Sequence, residues 1–361
     1  MGAKSCHDEH SKYLTEIGEY QAHALLEQLL NVGGRRNIGD DCAIYELDGD
    51  HVLLVNVDRL ASNVEEYNRA RLCVTQTLSD IICMGGTPDS FLVALTLPRD
   101  TEIESLRVLT QALQNELASY GAHLIGGDTK EGTSFHMVGV GLGRARAKSL
   151  VRRVGAAPGM LIGVTSTQGR LWGMRWANAV IRELGLAVPA DVASLCEQSD
   201  HVIHLPYSES RAVIATGYIR AGLDLSDGVG GGLRILTRAS NVGVSISAAS
   251  LANLVDPRLG LVADALDLPL ECFALSPGYN WENMYVVEDA GVEAVIEAAR
   301  SVGGQFSVIG RITSDLTIRI DGAEVDEKRL SADEKFAKSH AWENRFTAWQ
   351  ENCHEVLRSV H

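Results

Sequence analysis

The spacing of apolar residues predicts alternating helices and strands through the first 150 residues. Apolar side chains recur at helical intervals in 19–30, 69–84 and 103–121, and glycine ends or follows the last two segments. Strand-like runs occupy 42–47, 51–58, 90–98, 123–128 and 134–145. The first two runs are separated by Asp-Gly-Asp, which predicts a hairpin turn. This pattern is typical of a mixed α/β domain.

A second set of elements begins after residue 150. The stretch "LVRRVGAAPGMLIGVTST" contains a Pro-Gly turn followed by a strand-like run, so we place a domain boundary near 147–152. Helices are predicted at 173–186, 209–221 and 292–302, and strands at 306–313 and 316–322. We therefore expect an α/β domain at 1–148, an α+β domain at 149–330 and a polar helical tail at 331–361.

Composition narrows the range of partners. The chain of 361 residues carries 47 acidic and 32 basic side chains, a net charge of −15, which argues against a nucleic-acid partner. Its seven cysteines include no C-x-x-C pair, which fits a reducing compartment. We see no secretory signal and no apolar run of membrane-spanning length. A cytoplasmic protein with no membrane partner is expected.

Aspartates lie at the ends of several apolar runs, most of them close to glycine. They are Asp40, Asp41, Asp58, Asp80, Asp128, Asp224 and Asp227. Each alone is explained by a turn or a helix N-cap, but the shared pattern favours oxygen ligands for Mg²⁺, which binds carboxylates together with phosphate oxygens. Asp80 is the hardest to explain structurally, because it interrupts an apolar helix where an unpaired buried charge is costly.

Other phosphate-binding motifs are absent from the sequence. There is no G-x-x-x-x-G-K-[ST] loop, and no nucleophile-elbow or kinase catalytic-loop pattern. The glycines of "GVGLG" at 139–143 lie inside a predicted strand, so they say little about nucleotide binding.

The order of these motifs resembles that of the thiamine-monophosphate kinases. The resemblance covers roughly residues 16–320 and rests on "IGDDCAI", "LLVNVD", "TLSDIICMGGTPD", "LIGGDT" and "LDLSDGVGGGL". That family belongs to the superfamily of aminoimidazole ribonucleotide synthetase (PurM-like), selenophosphate synthetase and a hydrogenase maturation factor. The resemblance implies a two-domain PurM-like fold whose N-terminal domains join their sheets in a homodimer. It also implies ATP bound between the domains through Mg²⁺.

The resemblance also assigns roles to individual residues. It implies metal ligation by Asp40, Asp58, Asp80, Asp128 and Asp227. It implies contacts to ATP from Asp41, Gly126, Gly127, Thr129 and Arg153. Asp227 or Ser226 would orient the acceptor for in-line attack, and Ser226 is equally well explained as a helix N-cap.

Departures from the family pattern fall on the side of the acceptor. Residues 63–65 are Asn-Val-Glu where the family has Gly-Val-His, and 277–285 reads "PGYNWENMY". We therefore take Asn63, Glu65, Trp281 and Glu282 as candidate acceptor residues. Arg170, Trp172 and Arg175 stand where small residues are usual. These changes predict an acceptor other than thiamine monophosphate.

Three functions are consistent with these residues. The first is an ATP- and Mg²⁺-dependent kinase that phosphorylates a small-molecule acceptor. The second is an ATP-dependent synthetase or ligase on the same scaffold, which activates an oxygen as a phosphate ester before an amine attacks. The third is a non-catalytic nucleotide-binding protein.

Overall fold

A computed structural model describes residues 22, 25–26, 39–60, 64–166, 173–199, 205–275, 281–330 and 345–357. Within these ranges, none of the helices has the length and apolar character needed to cross a membrane. The helix expected at 19–30 and the tail at 331–361 lie largely outside the described residues.

The first sheet contains five strands. They are β1 (Ala43–Glu46), β2 (His51–Arg59), β3 (Thr87–Pro98), β4 (His123–Gly132) and β5 (His136–Arg146). Their order is β1-β2-β5-β3-β4, and all neighbours are antiparallel except β3 and β4. The predicted hairpin joins β1 to β2, and Gly49 adopts the left-handed φ of 73° that the turn needs.

Two helices cover one face of this sheet, α1 (Arg69–Cys83) and α2 (Ile103–Ser119). The glycines of "GVGLG" lie in β5 beneath α1, and they explain the close packing of helix on strand. A Cβ at Gly139, Gly141 or Gly143 would come within 3.0 Å of Thr77 or Ile81 on that helix. These glycines therefore serve helix–sheet packing in this fold.

The opposite face of the first sheet is apolar and exposed. Val55 and Val57 of β2 pair with Leu142 and Val140 of β5, which places these four side chains together on that face. Val57 is 62% exposed. No described element of the chain covers the patch, which we call the apolar sheet face.

The second sheet contains seven strands. They are β6 (Leu161–Ser166), β7 (Ile219–Asp224), β8 (Gly243–Ile246), β9 (Asn283–Val287), β10 (Gln305–Thr313), β11 (Ile318–Ile320) and β12 (Ala323–Val325). Their order is β12-β11-β8-β10-β6-β9-β7, with β8 and β11 the parallel pair. The two sheets are thus built from residues on either side of the expected boundary, and the fold is mixed α/β, as predicted.

Nine helices accompany the second sheet in the described part of the chain. They are α3 (Met174–Leu184), α4 (Ala190–Ser199), α5 (Tyr207–Ala215), α6 (Gly228–Ser240), α7 (Ala248–Ala252), α8 (Gly260–Ala265), α9 (Cys272–Leu275), α10 (Val292–Ser301) and α11 (Arg345–Leu357). Val213 of α5 and Val295 of α10 pack with Tyr285 on one face. Trp176 of α3 and Leu233 of α6 belong to the larger core on the other.

The structure corrects two predicted boundaries. The helix expected at 209–221 is α5, which ends at Ala215; Gly217 turns the chain with φ 77°, and β7 follows. The strand expected to end at Asp128 continues to Gly132 as the edge strand β4. Both errors arose where an apolar run was taken to mark the limits of an element.

Helix α1 connects the two sheets. The hydroxyl of Tyr285 on β9 donates a hydrogen bond to the Cys83 carbonyl at 3.2 Å. The backbone N–H of Val151 donates to the Met84 carbonyl at 3.1 Å. The C-terminal half of α1 is thereby held against the edge of the second sheet, where β7 lies.

Candidate functional site

Three aspartates from distant parts of the chain meet where α1 approaches β7. Asp41 lies in the turn before β1, Asp80 in the last turns of α1, and Asp224 at the end of β7. One carboxylate oxygen from each lies within 4.8 Å of the others. We call Asp41, Asp80 and Asp224 the acidic cluster. Asp41 and Asp224 are buried, and Asp80 is half-buried.

Two serines hold the Asp224 carboxylate in place. Ser79 Oγ on α1 donates to Asp224 Oδ2 at 2.8 Å, and Ser226 Oγ donates to Asp224 Oδ1 at 3.3 Å. The N-cap of α6 is Asp227, so the structure assigns Ser226 a contact to the cluster instead of the capping position. Hydroxyl donors favour the ionised carboxylate.

The electrostatics of the cluster oppose its full ionisation. Burial raises the pKa of Asp80 well above its ordinary value, and repulsion from Asp224, Asp58 and Asp41 adds to the rise. Burial, followed by repulsion from Asp41, raises the pKa of Asp224 to about 7, against the hydrogen bond from Ser79. Close, desolvated carboxylates behave in this way unless a cation joins them.

Arg153 supplies one positive charge beside the cluster. Its Nη2 and Nε lie 2.6 and 3.1 Å from Asp41 Oδ1. The other oxygen, Asp41 Oδ2, is buried and has no hydrogen-bond partner among the described residues. An orphaned buried carboxylate oxygen beside two further carboxylates fits a hard divalent cation such as Mg²⁺.

Asp40 and Asp58 lie beside the cluster but have other partners. Asp40 accepts hydrogen bonds from Arg152 Nε at 2.6 Å and from the Arg153 backbone N–H at 3.0 Å. Asp58 accepts from Asn56 Nδ2 at 2.7 Å, and burial raises its pKa to about 6. Asp40 therefore fixes the segment that carries Arg153, while Asp58 adds negative potential.

The "GGDT" segment lies on the edge strand β4 and is exposed. Asp128 Oδ1 is 3.5 Å from Lys130 Nζ, and the group of three carboxylates does not include it. A Cβ at Gly127 would collide with the Val93 carbonyl of β3, so this glycine permits the strands to approach. Gly126 and Thr129 are also exposed. Metal and ATP contacts from this segment stay predictions.

Asp227 is exposed at the start of α6, one turn beyond Asp224. Both Asp224 and Asp227 belong to the pattern of aspartates in the sequence, but the family resemblance assigned metal ligation to Asp227 alone. The structure instead places Asp224 in the acidic cluster. The available signal was that Asp224 ends the apolar run "IRAGLD", as Asp58 ends its own run.

Three of the four candidate acceptor residues lie in the described part of the chain, in two separate places. Trp281 and Glu282 are buried beside the end of β7, where the Glu282 carbonyl accepts the Leu225 N–H at 2.8 Å. Glu65 is exposed, and its Oε1 lies 4.0 Å from Arg182 Nη2 of α3. Asn63 lies outside the described residues, as do Arg170, Trp172 and the side chain of Arg175.

Comparison with known proteins finds similar sequences. Residues 39–145 match the AIR synthase related protein, N-terminal domain. The chain is 28% identical over 300 residues to thiamine-monophosphate kinase of Escherichia coli K12, which spans 77% of this chain and 84% of the relative. The family match covers the turn of Asp41, β2 and α1.

Solved structures show the same fold. The structure of AaThiL complexed with AMPPCP and TMP superposes with a TM-score of 0.74 at 20% identity, covering 88% of this chain and 97% of that one. The hydrogenase maturation protein HypE of E. coli gives 0.64 at 18% identity, covering 84% and 95%. Residues 39–145 therefore resemble the AIR synthase related protein, N-terminal domain, and the chain shares the fold of these solved structures. Over most of its length its sequence is similar to that of thiamine-monophosphate kinases.

Proposed function

We propose that the chain is an ATP- and Mg²⁺-dependent kinase that transfers a phosphoryl group to a small-molecule acceptor. The observation that carries the proposal is the convergence of Asp41, Asp80 and Asp224 beside Arg153. Relatives with 28% identity over most of the chain are thiamine-monophosphate kinases. A phosphoryl-transfer enzyme needs this combination of metal ligands and a cation more than it needs a nucleophilic side chain.

Each residue of the site has a definable task. The acidic cluster would hold Mg²⁺, which when bound neutralises phosphate charge and orients the phosphates for transfer. Arg153 would contact phosphate oxygens with the N–H groups that Asp41 leaves available. Ser79 and Ser226 orient Asp224 through their hydrogen bonds, which favour its ionised form. Ser226 also lies close enough to the cluster to help position an acceptor hydroxyl.

The acceptor side favours a substrate other than thiamine monophosphate. Trp281 and Glu282 lie at the end of β7 beside the cluster, so both can shape a pocket there. Against the family pattern Trp281 replaces a tyrosine and Glu282 persists, while the acidic pair before them becomes Tyr279-Asn280. A different acceptor is therefore part of the proposal.

We also propose that the functional unit is a homodimer. The apolar sheet face is the support for this, since exposed apolar patches on sheets mark interfaces. A second copy would cover Val55, Val57, Val140 and Leu142 with the same face of its own sheet.

The experiment is an assay of ADP release with Mg²⁺, ATP and a panel of phosphorylated and alcohol acceptors that includes thiamine monophosphate. Asp80→Asn should abolish acceptor-dependent turnover with the fold intact by circular dichroism, while the exposed control Asp100→Asn should match wild type. Turnover by Asp80→Asn at the wild-type rate would refute the site.

Product analysis separates the remaining functions. A phosphorylated product that persists supports the kinase. A phosphate ester that disappears when an amine is added identifies a ligase. Tight Mg-ATP binding without turnover of any acceptor identifies a non-catalytic nucleotide-binding protein.

A further inference from the structure

A second cavity lies away from the acidic cluster, where the segment after β5 meets α5 and the start of β7. Its volume is about 750 Å³, and it is open to solvent. Leu150 and Val151 line one side of the cavity. Gly85, just after α1, and Ile219, at the start of β7, also line it. None of the acidic-cluster residues lines it. Ligand sites for small molecules commonly have volumes of about 300–1,000 Å³.

The rim of this cavity is basic although the whole chain is acidic. Arg146, Lys148, Arg211 and Arg220 all line it. Two of the four charges are paired, since Lys148 Nζ lies 3.7 Å from Asp50 and Arg220 Nε lies 2.6 Å from Glu288.

The other two cations, Arg146 and Arg211, have no acidic partner within the described ranges. The Arg211 guanidinium lies 5.5 Å from the centre of the Tyr207 ring, a contact that orients it without neutralising it. Two uncompensated guanidinium groups therefore lie at one cavity in a protein whose net charge is −15. Such a focused positive potential attracts anions.

Helix α5 gives the cavity its shape. Ser208, Arg211, Ala212 and Ala215 occupy positions i, i+3, i+4 and i+7, so a single helical face lines the wall. Small side chains at Ala212 and Ala215 leave room, and the floor contributed by Leu150, Val151 and Ile219 is apolar. The cavity thus combines a basic rim with an apolar floor.

We propose that this cavity binds a phosphate monoester with an apolar body, at a site separate from the acidic cluster. Guanidinium groups match phosphate oxygens in bidentate geometry, and the apolar floor would cover the remainder of the ligand. An uncharged apolar molecule would make no ionic contact with the arginines, and inorganic phosphate would not cover the apolar floor. Both parts of the cavity therefore point to one amphipathic anion.

The test is isothermal titration of the full chain with phenyl phosphate in the presence of EDTA. Without a divalent cation the acidic cluster repels phosphate, so binding reports on the basic cavity. Wild type should bind phenyl phosphate more tightly than inorganic phosphate, and phenol should not bind. The double variant Arg146→Ala/Arg211→Ala should bind phenyl phosphate at least about tenfold more weakly, the loss expected for charge-assisted hydrogen bonds.

The matched control is Arg99→Ala/Arg107→Ala, which removes two exposed arginines that do not line the cavity. It changes the net charge equally and should bind as wild type does. The proposal is overturned if wild type does not bind phenyl phosphate, if both double variants weaken binding equally, or if phenol binds as tightly. The test needs no ATP turnover, so its result is independent of the proposed kinase activity.

Discussion

Neutralising Asp224 should remove a pH-dependent loss of stability from the metal-free protein. A carboxyl whose pKa is raised by folding holds its proton more tightly in the folded state than in the unfolded chain. The free energy of unfolding therefore falls as the pH rises from the unfolded pKa to the folded pKa. For Asp224 this window extends from the ordinary value of 3.8 to about 7.

The magnitude follows from the width of that window. The complete interval corresponds to about 4 kcal/mol, at about 1.36 kcal/mol for each pH unit. Between pH 5 and pH 8 the free energy of unfolding should fall by about 3 kcal/mol of this total. The Asp224→Asn variant keeps an oxygen for Ser79 to donate to but cannot ionise, so it should lack this part of the loss.

The assay is urea denaturation in EDTA, followed by tryptophan fluorescence at several pH values. Between pH 5 and pH 8, the free energy of unfolding of wild type should fall by about 3 kcal/mol more than that of Asp224→Asn. Asp100→Asn, which changes an exposed aspartate, should follow the wild-type curve. Saturating Mg²⁺ at pH 8 should restore wild type by about 2.7 kcal/mol at a hundredfold excess over its Kd, and should restore Asp224→Asn less.

Parallel pH profiles for wild type and Asp224→Asn in EDTA would refute this reasoning. They would show that Asp224 keeps its ordinary pKa on folding. The three carboxylates would then not form a desolvated, mutually repelling group in solution.

Substitutions at three other positions, two in the site and one on the apolar sheet face, should each have a distinct effect. Arg153→Ala should lower the free energy of unfolding by about 3–5 kcal/mol in denaturation, because it leaves the buried Asp41 without its guanidinium. Trp281→Phe should raise the KM for the acceptor severalfold in steady-state assays and leave the KM for ATP unchanged; the reverse pattern would remove Trp281 from the acceptor pocket. Val57→Lys should convert the dimer to a monomer in light scattering, whereas Val108→Lys, which changes an equally exposed valine on α2, should not.

The limits of a helix or strand can be predicted where its apolar periodicity is followed by a residue that ends such elements, such as glycine. Helix α1 shows apolar spacing and ends just before Gly85, so its limits could be predicted within a residue. Helix α5 and strand β7 lie in one continuous stretch of apolar character, and the single Gly217 that separates them gives a weak signal. Tertiary pairing of β7 with β9 decides where that strand begins.

The sequence predicts a site built from carboxylates, but it identifies only some of the residues that form it. Asp80 stood out because a carboxylate inside an apolar helix needs a cationic partner. The choice between Asp224 and Asp227 depends on which residue ends β7, and strand ends are set by the ladder with the neighbouring strand. The contact between Ser79 and Asp224 joins α1 to a strand of the other sheet, so local sequence carries no sign of it.

The negative charge of the site accounts for why a divalent cation suits it. Fully ionised, the acidic cluster carries three negative charges and Arg153 offsets one, which leaves two. Burial and the neighbouring carboxylates raise the pKa of Asp80, so full ionisation of the metal-free cluster is unfavourable. Asp41 and Asp80 lie with the first sheet and Asp224 ends a strand of the second, so a cation held by all three would join the two sheets.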